Sequence, residues 1–340
     1  MENIETYREK VNSLLKSFLN KKLEKNRGVS PYINNLIENL TEYTLRGGKR
    51  IRPLTTIFAY KCFKDDNKII DVSLSLELMQ SYLLIHDDIM DKSNLRRGLP
   101  TIHKLYEKEF NPHLSLSAAI LAGDLCSSYI YDIILESKFS PKEKIEAIKY
   151  ISWILEREIL GQTMDVLPNF KELTEKDIWK LYELKTATYT MQGPIYIGSI
   201  LANAPEEKIK KLQEYAYNIG IAFQLHDDVN GIFGNTKETG KPNDSDAKEG
   251  KKTLLITKTL ELCSKEEKEF IFKNWGTKEI SSKDLETIKK IIKNSGAFEY
   301  CQKKVNELIE KGKSSIKNIE LRQEGKTYLL EMADYIKNLY

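Results

Sequence analysis

Apolar positions recur every three or four residues along most of this chain, and sustained two-residue alternation is missing. In residues 1–26, Val11, Leu14, Leu15, Phe18, Leu19 and Leu23 fall on one helical face and charged residues on the other. Ser30-Pro31 reads as a helix start, with serine as cap and proline in the first turn. Residues 54–95 predict two mostly apolar helices. The second has almost no polar face over 74–86, so it should be buried on most sides. Ser140-x-x-Glu143 and Ser264-x-x-Glu267 read as capping boxes, and Thr174 to Asp177 as a further cap. Residues 193–202 carry strand-like isoleucines, but their glycine and serine spacing predicts a close-packed helix. The polar, Gly- and Pro-bearing stretch 240–253 predicts a loop. Residues 264–340 predict Lys/Glu-rich amphipathic helices with stripes such as Leu285, Ile288, Ile291 and Ile292. The expectation is an all-α chain forming one domain over 1–340, with a motif-bearing core at about 45–255 and C-terminal helices over 264–340.

Two of these apolar helices run into acid. The first ends in His86-Asp87-Asp88-Ile-Met-Asp91, followed by Arg96-Arg97-Gly98, and its three carboxylates project from one side at about 100° per residue. Like charges four residues apart cost an isolated helix about 0.2–0.5 kcal/mol, so a cation between them is implied. Mg²⁺ fits, being a hard ion often shared between carboxylates and phosphates, and the arginines offer forks for phosphate oxygens. The arrangement nearly repeats 140 residues later as His226-Asp227-Asp228-Val-Asn-Gly231. Two solvated acidic helix ends would leave the apolar approaches unexplained. Gly47-Gly48-Lys49-Arg50-Ile51-Arg52 could be an ordinary helix C-terminus; beside an aspartate clamp it reads as an anion cradle.

Composition adds limits. A length of 340 residues allows one large or two ordinary domains. The net charge of +3 is spread without a basic block, so nucleic-acid binding has no support. Four cysteines (62, 126, 263 and 301) stand far apart, as reduced core residues of an intracellular protein would. The first residues lack a signal-peptide core, and no stretch reaches the ~18 apolar residues of a membrane span. A cytoplasmic protein without a stable membrane anchor is expected.

Taken together, Gly47 to Pro53, Asp87-Asp88-x-x-Asp91 with Arg96-Arg97-Gly98, Gly161-Gln162-x-x-Asp165, Lys185-Thr186, Phe223-Gln224-x-x-Asp227-Asp228 and Gly240-Lys241 resemble the trans-isoprenyl diphosphate synthases, in that family's order. Archaeal-type short-chain members match best. The resemblance implies a helical bundle around a deep cavity, with the two aspartate helices facing each other across its mouth, and a homodimer or higher homo-oligomer. It implies head-to-tail condensation of isopentenyl diphosphate with C5, C10 or C15 allylic diphosphates. Mg²⁺ would be held by Asp87, Asp91 and Asp227, with Asp88 and Asp228 completing or orienting its shells. Arg96, Lys185, Lys241 and Lys251 would bind the allylic diphosphate, Lys252 being the alternative to Lys251. Lys49, Arg52, Gln80 and Arg97 would hold isopentenyl diphosphate. Lys185, Thr186 and Gln224 would act at the reacting centre, where Thr186 and Gln224 steer the carbocation. Gly231 departs from the pattern, since many members carry a third aspartate there.

Product length is read from the helix before Asp87. Met79, Tyr82 and Leu83 would form the floor beneath the growing chain. Farnesyl-forming members have aromatics at both the fourth and fifth positions before the motif; here only the fifth, Tyr82, is aromatic. C20 is the expected main product, and C15 or a C15/C20 mixture the alternative. A class I terpene cyclase would need a different second acidic site, and a silent partner subunit would be expected to lose carboxylates.

Overall fold

The computed structural model describes residues 2–167, 173–234, 245–277 and 280–337. It is all-α. The helices are α1 (Glu2–Asn26), α2 (Pro31–Leu45), α3 (Ile51–Lys61), α4 (Ile69–Met90), α5 (Ile102–Tyr106), α6 (Pro112–Glu136), α7 (Pro141–Val166), α8 (Glu175–Leu181), α9 (Gly193–Leu201) and α10 (Glu206–Phe233). After them come α11 (Ser245–Glu249), α12 (Leu254–Leu262), α13 (Lys265–Asn274), α14 (Ser282–Asn294), α15 (Ala297–Lys317) and α16 (Gln323–Lys337). Among the described residues the only strands are two-residue pieces, Leu95–Arg96 and Leu99–Pro100, paired antiparallel as the hairpin after α4.

The expected start signals operate. Ser30 accepts from the Tyr32 amide with Pro31 in the first turn of α2, and reciprocal capping boxes open α8 at Thr174 and α13 at Ser264. Residues 193–201 are helical, as their small-residue spacing predicts. One feature was not legible: Tyr182–Gln192 between α8 and α9 is π-helical, a widened turn that shifts which residues share a face.

The chain divides into two compact units, Met1–Tyr150 with Ile197–Asn203, and Ile151–Tyr196 with Ala204–Tyr340. In the first, α4 is the core helix, packed by α3 and α6. It buries Ile69, Ile70, Val72, Leu74, Leu76, Leu78, Met79 and Ile85, which cover its whole circumference. In the second unit α10 has that role, packed by the π-helical segment and α15 through Leu212, Tyr215, Ile219, Leu225 and Val229. Both aspartate pairs thus lie near the end of the long core helix of their unit. Cys62, Cys126 and Cys301 are buried and all four cysteines are free, in line with the reduced-core expectation.

One expectation needs correcting. By length and composition α6 could cross a bilayer. Its apolar residues are interspersed with serines and Asp124, so the stretch does not read as a continuous apolar span. The helix buries Ala119, Ala122, Cys126, Ile130, Ile133 and Ile134 within the first unit. Leu114, Leu116, Ile120, Leu121 and Leu135 remain exposed.

Candidate active site

In the first unit the carboxylates of α4 divide into two kinds. Asp88 is 1% exposed. Its Oδ2 accepts from Tyr43 Oη at 2.6 Å, and its Oδ1 from Arg96 Nε at 2.9 Å and Nη2 at 2.5 Å. Burial pushes the Asp88 carboxyl above its ordinary range, while Arg96 and the Tyr43 hydroxyl favour its charge. Asp87 is half-buried, with Arg96 Nη2 3.5 Å from its Oδ2, and Asp91 is exposed at the C-cap of α4. A spacing of four residues keeps Asp87 and Asp91 on one side of the helix end.

The basic residues of this unit come from two short connections. After α2 the chain passes through Gly47 and Gly48, both with positive φ, and exposes Lys49. Arg52, half-buried, lies in the first turn of α3, and Gln80, half-buried, on α4. Arg97, in the hairpin turn, donates to the Gly47 carbonyl and lays its guanidinium against Gly48. A Cβ on Gly48 would stand 2.8 Å from Arg97 Nη2, and the φ of +118 there is a conformation that favours glycine. Arg46 ties the hairpin back to α2 by donating 2.9 Å to the Pro100 carbonyl. Of the chain-length residues, Met79 is fully buried; Tyr82 and Leu83 are half-buried, the Tyr82 ring standing edge-on to His86 at 4.9 Å.

The second unit repeats the division. Asp228 is 4% exposed, and Tyr182 Oη donates to its Oδ2. Gln224 Nε2 donates 2.7 Å to Asp228 Oδ1, and Thr186 Oγ1 donates 2.5 Å to Gln224 Oε1, a polar chain joining the π-helical segment to α10. Burial pushes Asp228 up to about 8, against the Tyr182 hydrogen bond, and Asp246 adds to the rise. Asp227 is exposed. Lys185 Nζ donates 2.6 Å to Asp165 Oδ2, and Lys252 Nζ donates to the Asp165 carbonyl. Lys251 instead pairs with Asp246 at 2.9 Å. The two lysines therefore have different partners, and Lys252 is the one beside Lys185. Lys241 and Gly240 lie outside the described residues. At Gly231, the Asp246 carboxylate fills the space a Cβ would take.

Sequence reasoning missed Tyr43, Tyr182 and Asp246. Tyr43 lies 45 residues before Asp88 and Tyr182 lies 46 before Asp228, so the fold, not local spacing, brings each pair together.

Among the described residues no three His, Cys, Asp or Glu side chains gather around one point. The donor chemistry still fits a divalent ion. Asp87, Asp91 and Asp227 present hard carboxylate oxygens toward solvent, and Mg²⁺ commonly takes one or two carboxylates, with waters and substrate phosphates filling its remaining positions.

A helical chain with two buried helices, each ending in an inward and an outward aspartate, has the all-α isoprenoid-synthase fold. The chain belongs to the polyprenyl synthetase family, whose model matches residues 34–293. It is similar to the geranylgeranyl diphosphate synthase of Sulfolobus acidocaldarius, 33% identical over 83% of this chain and 81% of the relative. It is also similar to the geranylfarnesyl diphosphate synthase of Aeropyrum pernix, 32% identical over 85% of this chain and 90% of the relative. Among solved structures, the geranylgeranyl pyrophosphate synthase of Corynebacterium glutamicum complexed with isoprenyl diphosphate and magnesium superposes with a TM-score of 0.94, at 29% identity over 99% of both chains.

Proposed function

We propose that the chain is a prenyltransferase that joins isopentenyl diphosphate head-to-tail to allylic diphosphates, with geranylgeranyl diphosphate (C20) as main product. The observation that carries this reading is the doubled division of labour: in each unit a tyrosine-held aspartate stands beside an outward-facing carboxylate, with Arg96 on Asp88 in the first and Lys185 on Asp165 in the second. The similarity to geranylgeranyl diphosphate synthases supports it.

Ionising an allylic diphosphate leaves a delocalised cation and a multiply charged leaving group. Asp87 and Asp91 of the first unit and Asp227 of the second are the donors that would hold Mg²⁺, which supplies Lewis-acid neutralisation of that charge when bound. Asp88 and Asp228, engaged with tyrosines, fix the helix ends rather than face the ion. Arg96 and Lys185 bind the leaving diphosphate, joined by Lys241 and by Lys251 or Lys252. Lys185 rests on Asp165, so diphosphate oxygens compete with an internal carboxylate for its ammonium. Thr186 and Gln224 present oxygen dipoles to the cation and are held by their mutual hydrogen bond. Lys49, Arg52, Gln80 and Arg97 hold isopentenyl diphosphate, whose own diphosphate never leaves. No side chain need be a strong base; the departed diphosphate can take the last proton.

The proposed reaction draws on residues of both units, and the proposed organisation is one catalytic domain over 1–340. A second copy covering the exposed leucines and isoleucine of α6 accounts for that apolar face in a cytoplasmic protein, and the proposed state is a homodimer. The half-buried Tyr82 followed by Leu83 favours C20 over C15.

The test is incubation of purified protein with isopentenyl diphosphate, Mg²⁺ and, separately, C5, C10 or C15 allylic diphosphates, then dephosphorylation and sizing of the alcohols. A Mg²⁺-dependent C20 alcohol is expected. A C15 alcohol would keep the reaction and overturn the product length; no condensation with any primer would overturn the function.

A further inference from the structure

Arg50 stands in the middle of the basic run Lys49-Arg50-Ile51-Arg52, yet it does the opposite of its neighbours. It is 3% exposed, while Lys49 is exposed. Its backbone takes φ +52, a left-handed conformation that a residue with a side chain adopts only when its surroundings hold it there. Three segments do so. Nε donates 2.8 Å to Asn12 Oδ1 of α1, Nη2 donates 3.1 Å to the Thr44 carbonyl of α2, and Nη1 donates to Glu77 of α4. Glu77 is buried and lies three residues before Gln80 on the same helix. Its charge also acts on a second guanidinium, favouring the protonated form of Arg97 against Arg50 and Arg96.

We propose that Arg50, clamped by Glu77 and Asn12, is a positioning residue that sets the grip of Lys49, Arg52, Gln80 and Arg97 on isopentenyl diphosphate. The inference rests on the reading above that these four residues bind that substrate. The clamp fixes the left-handed turn between Gly48 and α3, and with it the place from which Lys49 and Arg52 reach out. Through Glu77 it keys that turn to the helix carrying Gln80. Arg97 is keyed to the same turn by its contact with Gly48 and its bond to Gly47. Asn12 belongs to α1, which precedes the matched residues 34–293, so a helix outside that match takes part in organising the site.

The test uses the full-length protein with Glu77→Gln, Arg50→Lys and Asn12→Ala, the last removing one hydrogen bond and least able to disturb folding. KM for isopentenyl diphosphate, KM for the allylic diphosphate, kcat and the thermal midpoint are measured for each. A group that positions one substrate changes that substrate's KM selectively, whereas general loosening moves both together. Glu77→Gln and Arg50→Lys should raise KM for isopentenyl diphosphate about tenfold or more, the equivalent of one lost hydrogen bond to a charged group. Asn12→Ala should raise it less, and the allylic KM should stay within about twofold for all three. Unchanged isopentenyl diphosphate KM in Asn12→Ala and in whichever of the other two folds, or parallel rises in both KM values, overturns the proposal. Lys49→Ala separates the two levels: if it leaves the isopentenyl diphosphate KM unchanged, the underlying site reading has failed as well.

Discussion

Tyr43 donates a 2.6 Å hydrogen bond to Asp88, and Tyr182 makes the same kind of bond to Asp228 in the other unit. In each His-Asp-Asp motif the second aspartate is thus committed to the interior, which leaves the first to face outward. Such a partner holds the helix end on which the proposed metal-binding carboxylates stand. Outer partners of metal sites typically contribute 10–100-fold to affinity. Tyr43→Phe and Tyr182→Phe should each weaken Mg²⁺ binding by about that factor while keeping the helical circular dichroism spectrum. Asp87→Asn, which removes a proposed ligand, should lose more. Calorimetric titration with Mg²⁺ and diphosphate checks the order; equal losses in all three variants would contradict the division.

Gly231 stands where the resemblance to the family would allow a third aspartate, and Gly231→Asp would supply it. The structure argues against it, because the Asp246 carboxylate occupies the space of the new Cβ. Asp246 is buried and paired with Lys251, so it cannot move away without breaking that pair. Overpacking of this kind costs about 1–3 kcal/mol. Gly231→Asp should therefore lower the thermal midpoint and reduce condensation activity. A gain in Mg²⁺ affinity at unchanged stability would show that Asp246 gives way freely.

The repeated His-Asp-Asp motif, the buried helices leading into it and the all-α class were legible because each rests on local spacing. The 3.6-residue period places Asp87 and Asp91 together whatever surrounds them. Which aspartate turns inward was not legible, since that depends on tyrosines 45 and 46 residues away and on burial that no local pattern encodes. Arg50 shows the converse. Its sequence neighbourhood is basic and reads as an anion cradle, but a left-handed turn and the buried Glu77 draw Arg50 inside. The π-helical turn at Tyr182–Gln192 stayed hidden for a similar reason: it changes the helical period without changing residue type.

His103 gives a pH dependence with a definite sign. It is buried beside Thr101, whose Oγ1 is 3.3 Å from Nδ1. Burial lowers its pKa and Lys104 adds to the fall, against Glu107 and Asp88. A histidine depressed in the folded state binds its proton more readily when unfolded. Its contribution to stability is therefore present above the unfolded value of about 6.5 and is lost as pH falls through the folded one. His86, depressed mainly by burial, has the same sign. The thermal midpoint should drop as pH is lowered through about 6.5, and His103→Gln should make that drop shallower without abolishing it. An identical pH profile in the variant would remove His103 from the cause.

The most specific consequence concerns Tyr82. It sits five residues before Asp87 on α4, with its ring edge-on to His86 at 4.9 Å and Met79 fully buried one turn earlier. A helix turn rises about 5.4 Å, so a side chain five residues back lies about 7.5 Å along the axis from the diphosphate end. On the proposed reading, a prenyl chain extending along α4 would meet the Tyr82 phenol before Met79. Removing the ring in Tyr82→Ala should lengthen the alcohol product beyond C20, with the rate of the first condensation little changed, because no diphosphate contact is lost. Adding a second aromatic in Leu83→Phe should shorten it toward C15. Chromatographic sizing of dephosphorylated products from both variants, assayed with the same C5 primer, reads the two shifts in opposite directions. If both leave the distribution where it was, the product floor is set elsewhere than on this face of α4, and the assignment of C20 from Tyr82 fails with it.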